Sequence, residues 1–161
     1  MEDRVCFIGG GNMAQAMIAG MISDDFNVEN IIVIERDLIK RNELVNKYGV
    51  LVSDSAKKSL LNTDTVVLAI KPQQMESLIR EIKDKVVDDQ LIITVAAGIE
   101  ISLYEKLFDT SVSIARVMPN TPSSLGFGVS GVFFTPTVSA AQQTIVVDIL
   151  NSIGIVEVVT K

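Results

Sequence analysis

Residues 7–20 read FIGGGNMAQAMIAG, three consecutive glycines set between an apolar run and a segment of helical period. Glycine inside a regular element costs about 0.5–1 kcal/mol relative to alanine, so three in succession need a physical reason. Gly9-Gly10-Gly11-Asn12-Met13-Ala14 satisfies the spacing G-x-G-x-x-[GA]. In that pattern the first glycine makes a tight turn and the second admits a phosphate against bare backbone. The third small residue, here Ala14, lets helix and strand pack closely. Free N–H groups at the helix start add partial positive charge. The stretch therefore predicts strand, phosphate-binding turn and helix in that order.

Outward from it, apolar runs at 4–9, 30–35, 65–70, 91–97, 112–118 and 128–135 read as strands, with IVEVV at 155–159 as the last. Several are apolar at consecutive positions, the pattern of strands covered on both faces. Helical segments alternate with them. Ala14, Met17, Ile18, Met21 and Ile22 share one face, as do Met75, Leu78, Ile79, Ile82 and Val86 after a starting Pro72, and 139–154 supplies the last helix. Strand–helix alternation of this length predicts an α/β fold, a doubly wound and mostly parallel sheet of Rossmann type. With 161 residues, one dinucleotide-binding domain over 1–161 is expected.

Composition narrows the chemistry. The net charge of −6, with no basic block, argues against a nucleic-acid surface. No run reaches the roughly 18 apolar residues of a membrane span, and the acidic opening MEDRVCFIGG gives no sign of a signal peptide. The single cysteine, Cys6, fits a reducing cytoplasm and reads as a buried structural thiol. The chain has no histidine, which removes the commonest acid–base group and metal ligand together. We expect no metal site, and no residue presents itself as a catalytic acid.

The second strand run ends in Glu35, where a ribose-binding carboxylate belongs, and Arg36 follows at once. The carboxylate accepts hydrogen bonds from an unmodified adenosine ribose and repels a 2′-phosphate, whereas the guanidinium pairs with that phosphate. Three more stretches fall where strands end: LAIKPQQ (68–74), VAAGI (95–99) and RVMPNTPSSLGFG (116–128). Lys71 is either a solvated helix-start lysine or a group beside the cofactor. Ala96, Ala97 and Gly98 are small enough for a flat ring to lie against. Asn120, between Pro119 and Pro122, is either a ligand-wall amide or a turn satisfying its own backbone.

Taken together, FIGGGNM (7–13), LAIKPQ (68–73), AAG (96–98) and RVMPNTP (116–122) resemble the N-terminal half of the Δ1-pyrroline-5-carboxylate reductases, in order and at family-like spacing. Members of that family reduce the cyclic imine 1-pyrroline-5-carboxylate to L-proline with NADPH or NADH. The resemblance implies that Ile8, Gly9, Gly10, Gly11, Asn12 and Met13 hold the pyrophosphate. It places Glu35 and Arg36 at the adenosine ribose, Ala69, Ile70, Lys71 and Pro72 at the adjoining part of the cofactor, and Ala96, Ala97 and Asn120 at the nicotinamide. Two departures stand out. Glu35 replaces the small hydroxyl residues of NADPH-preferring members and tilts the expectation to NADH, and Ala56 stands where some members carry asparagine.

The family's C-terminal helical domain, which dimerises and holds the substrate, has no counterpart in these residues. The expectation is a cytoplasmic cofactor-binding domain, homo-oligomeric through that further part and inactive by itself. Two alternatives stay open: the N-terminal domain of a β-hydroxyacid-type or coenzyme-F420-linked dehydrogenase, and a non-catalytic NAD(P)-sensing module.

Overall fold

The computed structural model describes residues 3–56, 60–87, 89–108, 112–119 and 128–159. Along the chain run β1 (Val5–Ile8), α1 (Asn12–Ser23), β2 (Ile31–Ile34), α2 (Leu38–Tyr48), β3 (Leu51–Ser53) and β4 (Thr65–Leu68). Then follow α3 (Pro72–Ile82), β5 (Leu91–Thr94), α4 (Ile101–Phe108), β6 (Ser113–Pro119), β7 (Gly128–Phe134), α5 (Ala140–Asn151) and β8 (Gly154–Val158). Eight strands form one sheet in the order β3-β2-β1-β4-β5-β6-β7-β8. Among the described strands only the β6–β7 pair is antiparallel. The fold is the expected doubly wound, mostly parallel α/β sheet.

Successive side chains of a strand face opposite ways, and here both faces are covered. Every residue of β1, β4 and β5 is buried. On one face Val5, Phe7, Val33, Val67, Ile93 and Val117 pack with Ala14, Met17, Ile18 and Met21 of α1 and with Val146, Ile149 and Leu150 of α5. On the other, Cys6, Ile8, Val66, Leu68, Ile92 and Ile114 pack with Met75, Ile79 and Ile82 of α3 and with Tyr104, Leu107 and Phe108 of α4. Burial pushes the Cys6 thiol up to about 12, so this cysteine is part of the core and not a nucleophile.

Several boundaries differ from the sequence expectation. The apolar period that ran to Val86 spans two elements: α3 ends at Ile82, and a 3-10 turn, Lys83–Lys85, brings Val86 back against the same core. The run 91–97 is strand only to Thr94, because the chain turns through Gly98 at φ +76°. Sequence periodicity passed over α2, which buries only Leu44 and leaves Leu38 and Ile39 exposed. Its ends are nonetheless chemically marked: the Asp37 carboxylate accepts the Ile39 N–H at 2.9 Å, and Gly49 closes the helix in the left-handed conformation. The edge strand β3 and the helix α4 were passed over too.

Strand order reverses between β1 and β4. From β1 the chain winds outward to β2 and β3, then returns to β4 on the other side of β1. Crossovers leave the sheet in opposite directions there, opening a crevice above the carboxyl ends of β1 and β4.

Candidate functional site: the carboxyl edge around the glycine turn

Backbone hydrogen bonds lace the carboxyl ends of the central strands together. Gly9 N–H donates to the Ile34 carbonyl at 2.9 Å, Ala69 N–H to the Ile8 carbonyl at 2.9 Å, and Val95 N–H to the Leu68 carbonyl at 3.4 Å. The three glycines then do three different jobs. Gly9 sits at φ +102°, and a Cβ there would run into the Ala69 carbonyl. A Cβ on Gly10 would lie 2.9 Å from Leu44 Cδ1 and 3.4 Å from Glu35 Oε1. Around Gly11 nothing lies within 4 Å of the Cβ position. Protein packing explains the first two. The third faces open space in an ordinary extended conformation, φ −79° and ψ −167°, so packing does not require a glycine there.

Gly11 is also the N-cap of α1, with no side chain capping the helix and no acidic residue in its first turn. The helix thus presents uncapped N–H groups and partial positive charge where the second motif glycine leaves room. Asn12, at the first helical position, is exposed and Met13 is half-buried. A pyrophosphate fits this cradle in shape and charge. Two residues that sequence reasoning missed brace it. Gln15 Nε2 donates to the Gly10 carbonyl at 2.9 Å, and the Tyr48 hydroxyl donates to Gln15 Oε1 at 3.3 Å. Tyr48 lies 33 positions further on, beyond the reach of any local pattern.

Glu35 lies just past β2, half-buried. Its Oε1 accepts the Gly10 N–H at 3.3 Å and its Oε2 accepts the Asp37 N–H at 3.1 Å. The carboxylate is therefore held against the glycine turn by backbone donors, with lone pairs left for a ribose diol. Arg36 points elsewhere. Its guanidinium pairs with Glu81 at 3.2 Å while its side chain stays 82% exposed. Arg41, also unforeseen, donates from Nη1 to the Glu35 carbonyl at 2.7 Å and to the Arg36 carbonyl at 2.9 Å, fixing the turn between β2 and α2.

Across the crevice, Ala69 and Ile70 are half-buried, and Lys71 is the exposed N-cap of α3 with Pro72 as its first residue. Further along, Ala96 is buried and Ala97 exposed. The Ala96 N–H donates to Thr94 Oγ1 at 3.4 Å, and that hydroxyl lies 2.6 Å from the Tyr104 hydroxyl. Asn120 falls outside the described residues, as does most of the stretch that follows β6. Among the described residues no group of three metal-ligating side chains comes together, and no helix is long and apolar enough to cross a membrane.

Among the described residues the edge sets Glu35 beyond β2, the glycine turn beyond β1 and Ala96 beyond β5, so the turn lies between the carboxylate and the small residues. Residues 4–98 match the family described as NADP oxidoreductase coenzyme F420-dependent. The chain is similar to the pyrroline-5-carboxylate reductase of Haemophilus influenzae, 37% identical over 150 residues that make up 93% of this chain and 55% of that protein. It is similar to the pyrroline-5-carboxylate reductase of Vibrio alginolyticus, 30% identical over 151 residues, 94% of this chain and 56% of that one. Among solved structures, a pyrroline-5-carboxylate reductase from Coxiella burnetii superposes with a TM-score of 0.96 at 35% identity, over 100% of this chain and 60% of that one. The Plasmodium falciparum pyrroline carboxylate reductase, solved with NADP bound, gives 0.86 at 25% identity, over 99% of this chain and 59% of that one. The chain spans little more than half the length of these relatives.

Proposed function

Since the chain belongs to the family of coenzyme-F420-dependent NADP oxidoreductases, we propose that it is the dinucleotide-binding part of a pyrroline-5-carboxylate reductase. The reaction is hydride transfer from NAD(P)H to the imine carbon of 1-pyrroline-5-carboxylate, giving L-proline. The observation that carries the substrate assignment is the TM-score of 0.96 at 35% identity to a reductase of that name, over the whole chain. The empty Cβ position at Gly11, beside an uncapped helix start, carries the cofactor assignment.

Reduced nicotinamide supplies the hydride; the chain supplies place and field. Ile8 to Met13 hold the pyrophosphate on the N–H groups of α1. Glu35 takes the adenosine ribose, with Arg36 at the rim, and Ala69 to Pro72 form the opposite wall. Ala96 and Ala97 give the nicotinamide a flat floor, with Asn120 assigned to the same end. Because Glu35 is anchored at the ribose end and Arg36 is paired with Glu81, we read the site as accepting NADH ahead of NADPH. Addition of hydride to an already protonated imine needs orientation and exclusion of water more than a strong acid, which suits a chain without histidine.

The substrate pocket belongs to a further, helical part of a longer, cytoplasmic, homo-oligomeric protein, so residues 1–161 bind the cofactor without turning over. The test compares this chain with the protein carrying the following sequence of its reading frame, at equal concentration. Oxidation of NADH and NADPH by 1-pyrroline-5-carboxylate is followed by absorbance. The longer protein is expected to turn over and the shorter one to bind cofactor only. Turnover by the short chain within about tenfold of the long one would place the substrate site inside these residues and overturn the division. No turnover by the longer protein would overturn the substrate assignment.

A further inference from the structure

Arg116 is a charged residue in the half-buried layer of β6, and its Nε is buried with no hydrogen-bond partner. It lies directly across from Thr94 in the β5–β6 register. Thr94 in turn is 2.6 Å, oxygen to oxygen, from the hydroxyl of Tyr104, which is fully buried. Around them the core is otherwise apolar: Ile92, Ile99, Leu107, Phe108 and Ile114. Packing alone would be served by phenylalanine at 104 and valine at 94. Burying two hydroxyls and the Arg116 Nε there costs free energy unless their polarity is used.

Among the described residues, the cluster's side chains reach out toward the carboxyl edge. Thr94 Oγ1 accepts the Ala96 N–H at 3.4 Å, at the start of the turn that Gly98 completes at φ +76°. We propose that Arg116, Tyr104 and Thr94 form a positioning relay that fixes the Ala96–Gly98 turn as the floor for the nicotinamide ring. The inference rests on the dinucleotide-binding reading of the edge. Arg116 faces Thr94 across the strands, and its charge, like the Thr94 hydrogen bond, opposes the rise that burial gives the Tyr104 phenol. Thr94 Oγ1 is thus hydrogen-bonded to Tyr104 on one side and accepts the Ala96 amide on the other, and the turn is held from beneath. None of the three needs to touch the cofactor; they act through the backbone of residue 96.

The test uses ligand pairs that differ only in the nicotinamide: NADH against ADP-ribose, and NADPH against 2′-phospho-ADP-ribose. Their dissociation constants are measured by calorimetry on the parent and on Tyr104→Phe, Thr94→Val and Thr94→Ser. Tyr104→Phe and Thr94→Val are expected to weaken both dinucleotides about tenfold and to leave the ring-less ligands within about twofold. Thr94→Ser, which keeps the hydroxyl, is expected to restore most of the loss. Equal weakening of both members of a pair would mean a loosened fold and would overturn the relay, as would unchanged affinity for all four ligands. If Thr94→Val does not fold, Tyr104→Phe, which removes a single oxygen, decides. A parent that binds none of the four ligands overturns the dinucleotide reading and the relay with it. A parent that binds them all, with variants indistinguishable from it, overturns the relay alone.

Discussion

The two ends of the carboxyl edge are built from different materials. At the glycine turn, backbone makes the site: Gly9 bends it, Gly11 leaves it bare, and α1 lends it N–H groups. At the Ala96–Gly98 turn, side chains from three elements make it: Thr94 from β5, Tyr104 from α4 and Arg116 from β6. A backbone-built site is compact in sequence because its parts must be covalent neighbours. A side-chain-built site is assembled by tertiary packing, and its parts are scattered along the chain.

The sharpest way to break this comparison is inside the glycine turn itself. Gly9→Ala forces a β-carbon into the Ala69 carbonyl at a left-handed φ, and we expect a loss of about 3 kcal/mol or more in urea unfolding. Gly11→Val meets open space at an extended φ, so the domain should stay within about 1 kcal/mol of the parent in stability. Its branched side chain fills the place of the phosphate, and NAD(P)H affinity should fall by about 100-fold or more in titration. A folded Gly11→Val protein with unchanged affinity would end the account of the glycine turn as a phosphate site.

A smaller effect separates the ribose corner from both ends. Glu35→Ser should shift the ratio of NADPH to NADH affinity about tenfold toward NADPH, a change of ~1.4 kcal/mol. It should also cost about 1 kcal/mol of stability, because the Gly10 and Asp37 N–H groups lose their acceptor. If the parent already binds NADPH tenfold more tightly than NADH, Arg36 governs this corner instead.

The smallest effect concerns the strand beneath the glycine turn, where stability is separable from binding. Cys6 is held neutral up to about 12 in the folded chain, against 9.0 for a free thiol. A raised folded pKa means that its contribution is complete below the unfolded pKa and is lost as pH rises toward the folded one. Between pH 8 and pH 10, the stability of the parent relative to Cys6→Ala should therefore fall by about 1 kcal/mol. NADH affinity should change alike in both proteins over the same range. A constant stability difference across that range would show that the thiol is not buried as described.

Sequence alone carried the alternation of strands and helices and the parallel, doubly wound sheet. It also carried the glycine turn and the acid at the end of β2, because each is a local pattern of volume, polarity or backbone freedom within a few consecutive residues. It passed over α2, which keeps only Leu44 in the core and so shows little apolar period. It extended α3 to Val86, because burial continues through the 3-10 turn even where the helix does not. Tertiary structure alone decided that Glu35 is tied to Gly10, that Arg36 is drawn off to Glu81, and that Gln15 and Tyr48 brace the turn. It alone set Arg116 beside Thr94 and Tyr104. These contacts join residues from 5 to 45 positions apart, and a side chain's type states what it can bond to but not what the fold will bring to it.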